Sequence, residues 1–121
     1  MREQIKKRTK GIGLKVIKLL DDLPNKTSAL IIARQIVRCS TSIGANYRVA
    51  CRAKSDPDFI NKLKIVEEET DETLYWLELL EESGLVSSDK ISELKTETNE
   101  ILRIIVASIN TVKNKMKTEK K

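Results

Sequence analysis

The chain has 121 residues, 23 of them lysine or arginine and 18 aspartate or glutamate, for a net charge of +5. This length supports one hydrophobic core and no second one. The absence of histidine removes the commonest general base and metal ligand, and no apolar run approaches the roughly 20 residues of a membrane span. The basic N-terminus lacks the apolar segment of a secretory signal, so we expect a cytoplasmic protein.

Four helical segments separated by short breaks account for nearly every residue. Apolar residues recur at the three- and four-residue spacing of a helical face, and proline, glycine and capping residues mark the breaks. The predicted helices span about residues 3–22, 26–54, 57–83 and 88–116. Short connections force neighbouring helices to run antiparallel. The sequence therefore predicts an all-α fold, an antiparallel up-and-down four-helix bundle forming one domain over residues 1–121.

The apolar faces of the predicted helices define the expected core. On the second helix we expect one stripe to face inward: Leu30, Ala33, Val37, Ser40, Ile43, Tyr47 and Ala50. The third and fourth helices carry a second stripe with Ile65 and Trp76 on one and Leu102 and Ile109 on the other. Two apolar stripes on one helix exceed what an interior seam needs, so either the first helix or another subunit covers the excess. We favour self-association, because long exposed apolar strips are rare on monomers.

Small and polar residues cluster between Ser40 and Asn46, inside an otherwise strongly helical segment. Serine, threonine, glycine and asparagine each weaken an isolated helix, so helix propensity does not explain why they occur together here. Small side chains let a partner backbone approach. We therefore expect close helix contact at this segment.

Charge is strongly segregated along the chain. Residues 1–54 carry a net charge of +10, residues 55–112 carry −9 and residues 113–121 carry +4. One interpretation is a basic half that packs against an acidic half, within or between subunits. The other is a basic surface for nucleic acid.

Four arginines lie within about 40° of one line on the second helix. This arginine stripe consists of Arg34, Arg38, Arg48 and Arg52. The matching acidic residues on the third helix are Glu68, Asp71, Glu72 and Glu82, and the reversal at residues 55–56 brings Arg38 level with Glu72. A ladder of charge-assisted contacts is the simpler interpretation. A nucleic-acid groove is the alternative, although single-strand binding also uses stacking aromatics and only Tyr47 lies nearby.

The acidic run Glu67–Glu72 resembles a metal-binding carboxylate cluster. The usual di-iron pattern needs Glu-x-x-His, which a chain without histidine lacks, so an ion-paired face is favoured. Glu69 and Glu72 share a stripe with Trp76, so we expect them to be half buried and paired. Cys39 and Cys51 lie about 18 Å apart on one helix, too far for a disulfide. We predict no catalytic, cofactor or metal residues, and no enzyme.

Basic residues also crowd both ends of the chain. The nucleic-acid candidates are Lys6, Lys7, Arg8, Lys10, Lys113, Lys115 and Lys117, followed by Lys120 and Lys121. In an up-and-down bundle the two termini emerge at the same end, so these charges would form one patch. The alternative is solubilising tails.

Three segments resemble a known family: QIVRCSTSIGANYR at residues 35–48, AKS at 53–55 followed by DFI at 58–60, and ETLYWLELL at 72–80. Over about residues 14–113 the chain resembles the bacterial 23S rRNA intervening sequence proteins. The resemblance implies an antiparallel four-helix bundle that assembles into a homopentamer, with no known catalytic residues. It also implies a likeness to the accessory pentamer of diversity-generating retroelements, which contacts a reverse transcriptase and nucleic acid.

The chain departs from one common version of this pattern at two positions. Val49 follows the Asn-Tyr-Arg triplet where an acidic residue is usual, and Glu68 stands where a lysine is usual. Within the segments that carry the resemblance and around the arginine stripe, the candidate structural and interface residues are Arg34, Arg38, Asn46, Tyr47, Arg48, Arg52, Glu69, Glu72 and Trp76.

Two functions therefore remain open. The first is a non-enzymatic, homo-oligomeric scaffold or accessory protein that binds RNA or DNA through basic surface. The second is a protein–protein interaction module without nucleic-acid binding, in which ion pairs between helices or subunits occupy the arginine stripe. The expected partners are copies of the chain itself, RNA or DNA, and a partner protein, with no membrane and no cofactor.

Overall fold

A computed structural model describes residues 1–119, and this part of the chain forms four helices and no strand. The helices are α1 (Arg2–Leu20), α2 (Thr27–Ala50), α3 (Asp56–Glu82) and α4 (Ser88–Glu119). Each helix packs against the next along the chain, and α1 also contacts α4. The predicted all-α four-helix bundle is confirmed. None of the helices within residues 1–119 is long and apolar enough to cross a membrane.

The two reversals around α3 have the predicted capping residues. The Ser55 hydroxyl accepts a hydrogen bond from the Asp58 backbone N–H at 3.2 Å, which satisfies an otherwise unpaired donor of the first helical turn. After α3, Gly84 adopts φ +78°, the left-handed conformation in which only glycine avoids a Cβ penalty.

The end of α2 differs from the prediction, because the helix stops at Ala50 instead of Lys54. Past that point the backbone tightens, with Arg52 N–H donating to the Val49 carbonyl and Ala53 N–H donating to the Ala50 carbonyl, both at 3.0 Å. Such bonds to the third residue back are typical of a closing helical turn. Arg52 therefore lies beyond the helix that carries the rest of the arginine stripe.

The second half of the predicted α2 stripe is buried as expected, at Ser40, Ile43, Tyr47 and Ala50, but the first half of the helix is rotated from the prediction. Ala29, Ile36 and Cys39 are buried, whereas Leu30 is 51% exposed and Val37 is only half buried. The first turns of α2 carry apolar residues on every side, so the hydrophobic periodicity does not indicate whether Leu30 or Ala29 faces the core. The contacts of α2 with α1 and α3 determine which of these residues is buried.

Two helices approach each other closely at the small-residue segment, as expected. A Cβ added at Gly44 would stand 3.1 Å from the Lys10 nitrogen and 3.3 Å from the Thr9 carbonyl carbon. One turn away, a Cβ at Gly13 would stand 3.4 Å from Thr41 Cα, an ordinary contact distance. Glycine at 44 thus lets the α1 and α2 backbones touch, which aligns the outer faces of these two helices as one surface.

Candidate interaction surfaces

The outer surface of α1 and α2 is uniformly basic. After Glu3, neither helix contains an aspartate or glutamate. We define the α1–α2 basic face by five exposed residues, namely Lys7, Lys10, Lys18, Arg34 and Arg48. None of the five lies within salt-bridge distance of a carboxylate in residues 1–119. The charges of Lys7, Lys10, Arg34 and Arg48 are therefore available to an anionic ligand. Lys18 also lines a neighbouring groove with Asp22, Asp89 and Glu93, which offset part of its charge.

A shallow groove of about 220 Å³ runs along the middle of this face. Lys10 and Arg48 line it from α1 and from α2. Its apolar lining, which we call the floor, includes Leu14 and Ile17, with exposures of 52% and 46%. The Thr41 hydroxyl donates to the Val37 carbonyl at 2.6 Å, so the hydroxyl proton is already used. The groove thus combines cationic rims with an apolar floor.

The opposite side of the bundle, formed by α3 and α4, is acidic. A groove of about 410 Å³ there is lined by Lys64, Glu67, Glu68, Asp71, Leu102 and Val106. The acidic run of α3 therefore divides between two sides of the helix, because Glu69 and Glu72 turn toward α2. The charge segregation seen along the chain becomes a separation of charge across the molecule.

A third surface lies between α2 and α3. Arg38 reaches across the groove and pairs with Glu72, and its second guanidinium nitrogen lies 3.7 Å from Glu69. Trp76 Nε1 donates to the same Glu72 carboxylate at 3.4 Å. We define the α2–α3 apolar strip as four exposed residues of these two helices, Ile31 and Val49 on α2 and Ile65 and Tyr75 on α3, at 43–55% exposure.

Two of the remaining residues of the predicted motif, Asn46 and Tyr47, are held within the fold. The Asn46 amide donates to the Ser42 carbonyl at 2.9 Å, and Tyr47 is only 3% exposed. Burial also raises the pKa of Tyr47 to about 12. A tyrosine in this position cannot stack on a nucleic-acid base. Arg34, Arg48 and Arg52 are exposed and take no part in the expected ladder, which within residues 1–119 is limited to Arg38.

The buried thiol sits beneath this cluster. Thr73 donates a hydrogen bond to Cys39 Sγ at 3.2 Å, and burial raises the pKa of Cys39 to about 11. The thiol is therefore protonated at neutral pH and is a packing group rather than a nucleophile. Cys39 and Cys51 are both free thiols.

Glu69 provides a pH-dependent prediction. Burial raises the pKa of its carboxyl above the usual range, Arg38 opposes this shift, and Oε2 accepts no hydrogen bond from residues 1–119. Because the folded pKa is the higher one, the associated stabilisation is complete below the unfolded pKa and is lost as pH rises through the folded pKa. We expect a ¹³C NMR titration of the side chain to show a raised midpoint, and Arg38→Ala to raise it further. A midpoint at the ordinary glutamate value in both proteins would contradict this assignment.

The terminal basic residues are only partly available. Arg8 bonds Glu97 and Glu100 of α4 at 2.6 Å and 2.9 Å, Lys6 pairs with Glu3, and Lys115 lies 3.5 Å from Asp56. Lys113 and Lys117 are exposed, whereas Lys120 and Lys121 lie outside the described residues.

The start of α1 and the later turns of α4 do lie at one end of the bundle. A 600 Å³ groove there is lined by Met1, which precedes α1, by Phe59 of α3 and by Val112 of α4, among others. However, Lys7 and Lys10 belong to the α1–α2 basic face, while Lys113 and Lys117 lie beside Pro57 at the end of α4. The predicted single terminal patch is therefore weakened by ion pairs and divided in two.

Sequence reasoning missed Lys18 and the apolar floor of the groove. Leu14 and Ile17 fit an amphipathic pattern poorly, since both fall outside the buried stripe of α1. The usable signal is the run of residues 4–20, which has six basic side chains and no acidic one. An apolar residue on the outer side of so basic a helix marks a contact surface.

The comparisons with known proteins agree with this architecture. The chain matches the sequence model of the 23S rRNA-intervening sequence protein family over residues 2–107. It is also similar to a crystal structure from Bacteroides thetaiotaomicron VPI-5482, a protein of unknown function from the S23 ribosomal protein family. The identity is 34% and the TM-score 0.80, with 87% of this chain and 97% of that chain covered. No curated protein matches the sequence.

Proposed function

The chain belongs to the 23S rRNA-intervening sequence protein family, and we propose that it is a non-enzymatic accessory protein that self-associates and binds RNA or DNA through its basic surface. One observation carries the nucleic-acid part of this proposal. The α1–α2 basic face gathers five exposed cations that have no carboxylate partner in residues 1–119. A phosphate backbone is the common polyanion that such a surface attracts.

The α2–α3 apolar strip supports the self-association part. Val49 and Ile65 are 47% and 43% exposed, and Tyr75 is 54% exposed with its ring edge-to-face on Trp76. Exposed apolar groups of this size are unfavourable in water and gain free energy when a second surface covers them. The strip also lies between a basic row on α2 and an acidic row on α3, so a second copy offers it both charges.

The alternative is an interaction module that binds no nucleic acid. Arg38 favours it, because this member of the arginine stripe is engaged by Glu72 and Glu69 on α3. Under this alternative, Arg34, Arg48 and Arg52 find their carboxylates on other subunits. The two functions differ in whether the protein binds a polyanion such as RNA or DNA.

We expect RNA and DNA affinity to fall steeply with salt. Binding releases counterions from the phosphates, so log K decreases linearly with log[salt], with a slope of about −0.9 per neutralised phosphate on a duplex. If all five cations of the α1–α2 basic face bind phosphate, the slope is about −4 to −5. Fluorescence anisotropy from 25 mM to 300 mM salt measures it. No binding at the lowest salt would refute the nucleic-acid part and favour the interaction module.

A further inference from the structure

We propose that the α1–α2 basic face binds the paired phosphate rows of a nucleic-acid duplex, in preference to a single strand and without reading its sequence. This inference rests on the proposed function and specifies the ligand class. It follows from the placement of the cations, from the position of the aromatic residues and from the chemistry of the groove floor.

The cations form two rows rather than one. Lys7 and Lys18 are separated by about 16 Å along α1, and Arg34 and Arg48 by about 21 Å along α2. The backbone contact at Gly44 holds the two helices at the short end of the usual spacing, about 8 Å between axes. Two nearly parallel rows of positive charge therefore lie side by side on one rigid surface.

A duplex presents the matching arrangement of negative charge. Its two strands place phosphate rows on either side of a groove, with one charge per about 1.7 Å of axis, twice the density of one strand. A single strand can follow only one row of cations at a time. It also pays the entropy of becoming ordered when it does so. The double row therefore favours the stiffer and more highly charged ligand.

The face has no platform for unpaired bases. Of the four aromatic residues, Tyr47 is buried and the other three, Phe59, Tyr75 and Trp76, belong to α3. Proteins that prefer single strands obtain about 1–3 kcal/mol per base from stacking on aromatic side chains. The α1–α2 basic face lacks this contribution, so single strands lose their usual advantage.

The groove floor also lacks groups that identify bases. Leu14 and Ile17 offer no hydrogen bonds, and the Thr41 hydroxyl proton is already given to its own helix. Sequence is read through donors and acceptors that meet base edges in the grooves. Contacts from the rim lysines and arginines to phosphate position a duplex but carry no sequence information.

The test compares one 20-base-pair duplex with its two separated strands, in RNA and in DNA, at 50 mM salt. We expect at least one type of duplex to bind tenfold or more tightly than its strands, with similar affinity for a scrambled sequence. The double variant Lys10→Glu/Arg48→Glu reverses one charge on each helix of the groove. It should lower the affinity for the duplex at least tenfold and reduce the magnitude of the salt slope by about 2.

The matched control reverses two charges on the other side of the bundle. Lys64→Glu/Arg103→Glu makes the same change in net charge at exposed residues of α3 and α4, and should leave duplex affinity within about threefold. Equal or tighter binding of single strands overturns this inference and leaves the proposed function intact. Absence of all binding overturns both. A double variant that changes the oligomeric mass but not the affinity also overturns the inference, because the face is then an interface between copies.

Discussion

Replacing Gly44 with valine is expected to lower the free energy of unfolding by about 3 kcal/mol, or about 10 °C in melting temperature. The first added carbon would stand 3.1–3.3 Å from backbone atoms of Lys10 and Thr9, which belong to the facing helix and cannot rotate away. The branched methyl groups add to this overlap, so α1 must move off α2. Thermal and urea unfolding followed by circular dichroism measure the loss.

Gly11 provides the control, since a Cβ there meets nothing within 4 Å. Alanine is the better helix former at an open site, so Gly11→Ala should raise stability by up to about 1 kcal/mol. Opposite signs for the two substitutions would locate the cost in the α1–α2 contact. A Gly44→Val protein as stable as the parent would show that the two helices do not touch there.

Placing glutamate at two positions of the α2–α3 apolar strip is expected to dissociate the oligomer. Val49→Glu/Ile65→Glu puts one charge on each helix of the strip, and both residues are close to half exposed, so each subunit keeps its own core. A desolvated, unpaired carboxylate in an interface costs several kcal/mol, enough to shift micromolar protein to the monomer. Light scattering after size exclusion measures the mass.

The matched control places the same two charges on the other exposed apolar surface. Leu14 and Leu30 are 52% and 51% exposed, and Leu14→Glu/Leu30→Glu adds one carboxylate to α1 and one to α2. This variant should keep the parental mass and bind nucleic acid more weakly. If the parent is monomeric at tens of micromolar, or if the control dissociates while Val49→Glu/Ile65→Glu does not, the α2–α3 strip is not the interface.

The fold could be predicted because its signals are local. Ser55 before an Asp-Pro pair starts a helix, Gly84 ends one, and the long apolar periods of α3 and α4 place residues such as Leu77 and Ile105 correctly in the core. Short connections then leave one simple topology. None of these predictions depends on which residues come into contact across the bundle.

The rotation of the first half of α2 could not be predicted for the opposite reason. Its first turns are apolar on every side, so Leu30 and Ala29 are equally acceptable inward residues in the isolated pattern. The outcome depends on Gly44 meeting the α1 backbone and on Cys39 meeting Thr73 of α3. Both are contacts between distant segments.

The ion pairs show the same limit. Counting residues back from the reversal predicts that Arg38 and Glu72 lie at the same height on neighbouring helices, and the two side chains do form an ion pair. The engagement of Arg8 by Glu97 and Glu100 joins the first helix to the last, and no spacing in the sequence indicates it. As a result, the predicted cation patch at the termini includes side chains that are already paired with carboxylates. The prediction also omits Lys18 and the groove floor.

Lysine footprinting tests the central claim most directly. Amines of the protein are acetylated with and without duplex RNA, and mass spectrometry measures the rate at each lysine. If the α1–α2 basic face is the nucleic-acid surface, Lys7, Lys10 and Lys18 become protected, while Lys64, which lies in the groove between α3 and α4, reacts as before. Protection confined to Lys113, Lys115 and Lys117 would contradict the account and return the binding surface to the end of α4.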